Sequence, residues 1–74
     1  MIYQYKENSF DMEWLNAEKT RLSVICADPV FDSNGIDQTQ WPSDKQISEF
    51  IGKTVEFKDI GDSNDGVEGI FGCL

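Results

Sequence analysis

Hydrophobic and polar residues alternate along most of this chain, and the pattern changes to a helical period only once. Ile2 to Lys6 sets Tyr3 and Tyr5 two apart and predicts a first strand. Glu7-Asn8-Ser9 has the composition of a turn. Phe10-Asp11-Met12-Glu13-Trp14 then alternates without a slip. As a strand it sends Phe10, Met12 and Trp14 to one face and Asp11 and Glu13 to the other. A helix from Ser9 is the competing reading, because Phe10 and Trp14 are also four apart. The strand is preferred, since Met12 would fall off the helical stripe. Asn16 to Lys19 is polar and suits a hairpin loop. Thr20 to Ala27 is rich in β-formers, with Leu22, Val24 and Cys26 on one face.

The change of period comes at Trp41-Pro42-Ser43-Asp44-Lys45-Gln46-Ile47-Ser48-Glu49-Phe50-Ile51-Gly52. Ile47, Phe50 and Ile51 are spaced i, i+3, i+4 and predict a short helix with one apolar stripe, Phe50 included in the core. Ser43 is placed to be its N-cap, and Gln46 completes a capping box. Asp44 sets a negative charge against the positive end of the helix dipole. Gly52 can take the left-handed conformation that ends a helix.

Between the third strand and the helix, Asp28-Pro29 stops the β pattern, and the chain is irregular to Trp41. Val30, Phe31, Ile36 and Trp41 interrupt this loop and are expected to pin it over one end of the sheet. After the helix, Lys53 to Ile60 alternates again, with Val55 and Phe57 opposite Glu56 and Lys58. Gly61 to Gly66 reads as a turn-rich tip, and Val67 to Leu74 returns as a last strand loosened by Gly69 and Gly72. The order is β-β-β-α-β-β. It predicts an α+β domain, a small antiparallel sheet of about five strands, curled or partly closed into a barrel, with one short helix. In element order alone it resembles the OB-fold. OB-folds that bind nucleic acid use the loop between their last two strands. Here Asp59 to Gly66 carries three Asp and no base, so that resemblance implies no such ligand.

Composition narrows the function. Seventy-four residues make one domain, 1–74, with one thin core. Fourteen Asp and Glu stand against six Lys and Arg, with no His and a net charge of −8. That balance argues against direct binding to nucleic acid or to an anionic membrane, and favours solubility or a basic partner. The first residues, Met1 to Glu7, have neither the basic nor the apolar region of a signal peptide. Cys26 and Cys73 form no metal or redox motif and are expected to be reduced thiols in a cytoplasmic protein.

Catalytic readings are thin. The chain has no His, which removes the commonest general base, and no phosphate-cradling glycine motif. Counted from Asp62 as an EF-hand loop, the fifth, sixth and twelfth positions are Gly66, Val67 and Cys73, and all three fail. Neither a cofactor nor a metal is expected, and the protein is expected not to be an enzyme.

What remains is an acidic ladder, Glu56, Asp59, Asp62, Asp65 and Glu68, which Asp11 and Glu13 extend if the strands lie nearby. Carboxylates on a rigid scaffold can stand where phosphates stand and block a basic groove. A globule of this length is roughly 29 Å across. Duplex DNA carries about seventeen charges over that length, so the whole molecule is a poor copy of a duplex and one face copies at most a short stretch. The expected function is that of a small acidic inhibitor of a basic, nucleic-acid-handling protein. In size and charge it resembles phage-encoded anti-defence proteins and nuclease immunity proteins. The alternative is an accessory interaction module docked through Phe31, Trp41 and the exposed edge of the last strand.

Overall fold

In a computed structural model, which describes residues 1–63 and 66–73 (side chains of Asp62 and Ser63 excepted), the alternating segments form one five-stranded antiparallel sheet. The elements are β1 (Ile2–Tyr5), β2 (Asn8–Trp14), β3 (Arg21–Cys26), α1 (Asp44–Ile51), β4 (Val55–Ser63) and β5 (Gly66–Cys73). The sheet order is β1-β2-β3-β5-β4. Phe10 to Trp14 is therefore a strand, and the antiparallel β-β-β-α-β-β layout stands.

The sheet, expected to be curled or partly closed, is not closed into a barrel. β1 and β4 are the two edges of an open sheet. α1 spans the gap, with Phe50 edge-on to Tyr3 of β1, ring centroids 5.0 Å apart. At its other side, Asp44 and Ser48 accept hydrogen bonds from the β4 N–H groups of Phe57 and Val55. β1 is also only four residues long. The last strand is not an edge either, as β5 lies between β3 and β4.

Register fixes two faces. Phe10 stands opposite Cys26, Met12 opposite Val24, and Leu22 opposite Phe71, all on the side covered by α1. Phe10, Met12, Leu22, Val24, Cys26 and Ile47 are fully buried there, with Val55, Phe71 and Cys73 around them. Both cysteines are free and buried. Burial pushes both thiols above their ordinary range, Lys53 partly opposing the shift at Cys73.

The helix termini follow the local signals. The Gln46 N–H donates to Ser43 Oγ at 3.2 Å, and the Ser43 N–H donates to Gln46 Oε1 at 2.8 Å. Gly52 is left-handed, with φ of 77°, and its N–H donates to the Ser48 carbonyl. Phe50 departs from expectation. It is 43% exposed, its ring set against Tyr3 of the edge strand β1.

Two turns are tighter than their composition suggests. Lys6 and Glu7, both at positive φ, join β1 to β2, and Asn8 already belongs to β2. Gly61, Asp62 and Ser63 are strand residues, paired with Glu68, Val67 and Gly66, rather than part of a long tip. Gly66 is required there: its φ is 139°, and a Cβ would collide with the Cys26 carbonyl oxygen.

Candidate functional site

The sheet face away from α1 gathers the carboxylates that the sequence spaces apart. One row across the strands runs Asp11, Ile25, Glu68, Gly61, and the next runs Glu13, Ser23, Ile70, Asp59. Glu56 stands opposite Gly72. A bulge between Phe57 and Asp59 absorbs Lys58 and keeps Glu56 and Asp59 on the same side. Strand alternation thus brings together Asp11, Glu13, Glu56, Asp59 and Glu68, around the half-buried Ile25 and Ile70. Asp62 pairs through its backbone with Val67, while its side chain and the whole of Asp65 lie outside the described residues.

These carboxylates are not equivalent. Glu13 is exposed. Glu56 is 3.2 Å from Lys58 in a solvent-exposed pair. Asp59 Oδ1 accepts from the Ile60 N–H at 2.8 Å. Asp11 lies 3.8 Å from the Met1 ammonium. Glu68 is the most constrained: the hydroxyl of Ser23, a buried polar residue, donates to Glu68 Oε2 at 2.5 Å. The Ser23–Glu68 bond joins residues 45 apart, so no local pattern could have announced it. Positive charge borders this face at two places: the Met1 ammonium beside Asp11, and Arg21 and Lys58 at the Gly72 end, where the Lys58 stem lies 2.9 Å from a Cβ built on Gly72.

The loop from 28 to 41 is organised by two aspartates and by Trp41, the one of its four apolar residues that reaches the core. Asp32 Oδ1 accepts from the N–H groups of Asn34 and Ile36. A small bridge pairs Phe31 with Asp37. Asp37 Oδ1 accepts from the Thr39 N–H, and its Oδ2 accepts from the indole of Trp41 at 2.9 Å. Burial acts to raise the Asp37 pKa, but the bonds from Thr39 and Trp41 outweigh it and hold the carboxyl below its ordinary range. Trp41 packs on Phe10 at 5.0 Å. Val30, Phe31 and Ile36, expected to pin the loop, are exposed instead. Compared with models of protein families, with curated proteins and with solved structures, the chain matches none.

Proposed function

We propose that this protein is a binding protein, not an enzyme, and that its open sheet face docks onto a basic, nucleic-acid-handling protein and blocks it. The observation that supports this reading is the register: five carboxylates from β2, β4 and β5 share one face that the helix leaves uncovered. A face with an excess of carboxylates, offset in part by Met1 and Lys58, steers a positive surface toward it and repels nucleic acid. Mimicry is partial at most. The molecule is 38 Å along its longest axis, a length over which a duplex presents about 22 charges. The charge of −8 falls well short.

Replacing Glu13 and Glu56 by Gln and Asp59 by Asn tests the reading. Surface changes of this kind cost within about 0.5 kcal/mol each, and the side-chain carbonyl that Asp59→Asn introduces can still accept from the Ile60 N–H. A partner recovered from host lysate at low salt should bind the triple variant more slowly and more weakly, and the deficit should shrink as salt rises. Glu7→Gln, Glu18→Gln and Glu49→Gln together, at exposed sites on two turns and on α1, remove the same three charges and control for total charge. Asp32 and Asp37 are unsuitable controls, because both hold the loop together. Equal binding by parent and triple variant at low salt would reject the acidic-face mechanism.

The accessory-module reading survives in altered form. Its edge-strand component moves from β5 to β4, with Phe57 and Ile60 of that strand and Phe31 of the loop among the exposed apolar groups.

A further inference from the structure

Beside the N-terminus of α1, the helix leaves part of its own sheet face uncovered. The result is a groove of about 320 Å³ lined by Trp41, Pro42, Phe57, Ile60, Gly69 and Phe71, with Asp44 at its rim. Gly69 forms the floor, where an added Cβ would press on Phe71 and Trp41. Ile60, 45% exposed, is shared with a second depression that runs on past Phe31 and Asp37. The apolar strip therefore lies between two carboxylates.

We propose that this groove takes one apolar side chain of the basic partner, aromatic or branched aliphatic, with Lys or Arg on either side of it. The proposal rests on the basic-partner reading; the groove opens on the helix side of the sheet, so the partner reaches it round the β4 edge from the acidic face. Three observations select this occupant. The volume stands at the lower limit of small-molecule sites, about 300 Å³, and suits a single side chain. The rim groups, Asp44 and Asp37, are both carboxylates, which complements cationic flanks. A visiting β-strand meets engaged donors, because the N–H groups of Val55, Phe57 and Ile60 already bond to Ser48, Asp44 and Asp59. Recognition here runs through side chains and not through sheet extension. A second copy of the chain is the wrong occupant on charge, since each carries −8.

Three blocked synthetic peptides test it against parent and Ile60→Thr protein: tryptophan between pairs of lysines, serine between pairs of lysines, and tryptophan between pairs of glutamates. Binding is followed by amide chemical shifts at low salt. The tryptophan–lysine peptide should bind parent about tenfold more tightly than the serine–lysine peptide and shift Phe57, Ile60 and Phe71. The tryptophan–glutamate peptide should not bind. Ile60→Thr should remove most of the tryptophan advantage and leave the serine–lysine peptide unchanged. Equal binding of the two lysine peptides, or shifts confined to Glu13, Ile25 and Ile70, would overturn the anchor and leave the basic-partner reading standing. If neither lysine peptide binds, both fall. Concentration-dependent broadening of the groove amides in protein alone would assign the groove to a second copy and overturn the proposal.

Discussion

The two faces of the sheet are built from the same strands and do opposite things. On the covered face, Phe10, Met12, Leu22, Val24 and Cys26 are sealed under α1 and the loop around Trp41. On the open face, alternate strand positions carry Asp11, Glu13, Glu56, Asp59 and Glu68, set around Ser23, Ile25 and Ile70. The covered face holds the fold together by excluded water. Apart from Glu68, held by the buried Ser23 hydroxyl, the open-face carboxylates lie outside the hydrophobic core. Period-two alternation makes that division possible: a residue can change on one face without disturbing the other.

The largest test of this contrast is Phe10→Ala against Phe50→Ala. Phe10 has no exposed surface, and its loss should cost about 3–5 kcal/mol, enough to unfold much of so small a domain. Phe50, half outside the core, should cost well under half as much. Urea melts that show equal losses would mean that α1 buries a different stripe.

Asp37 tests whether the loop belongs with the covered face. Asp37→Ala removes the acceptor for Thr39 and for the Trp41 indole, and should cost about 1–3 kcal/mol. The pH dependence follows from its lowered pKa. The contribution is fully present above the unfolded Asp value of about 3.9, and is lost as pH falls through the lower folded value. Trp41 fluorescence in an acid titration should change over that window in the parent and not in the variant. A change already complete at about pH 5, above both values, would contradict it.

Ser43→Ala deletes the hydroxyl that caps the third N–H of α1 and should cost about 1 kcal/mol, read as a lower thermal midpoint. The smallest effect has the opposite sign. Lys6 and Glu7 both sit at positive φ, where hairpins prefer Asn-Gly. Lys6→Asn with Glu7→Gly should stabilise by about 1 kcal/mol in total. A drop in midpoint would show that these two side chains carry a contact that outweighs the strain.

Some of this architecture was legible without coordinates, because it rests on neighbours in the chain. The Ser43–Gln46 capping box, the left-handed Gly52 and the alternation of Phe10 to Trp14 each depend on residues at most four apart. Sheet order, edge and exposure do not. Whether β5 is an edge depends on whether it pairs with β3, and that pairing joins residues 21 to 26 with 67 to 72. Phe50 belongs to a helical stripe by spacing, yet only the position of α1 over short β1 decides that its ring stays half in water. The acidic residues were countable from the start. Their gathering on one face required the register of β2, β3, β5 and β4, with a bulge at Lys58 to keep Glu56 and Asp59 in step. The groove at Ile60 was beyond sequence reasoning altogether, because it is a gap left by packing: an absence of cover between α1, the loop and β4 has no residue to announce it.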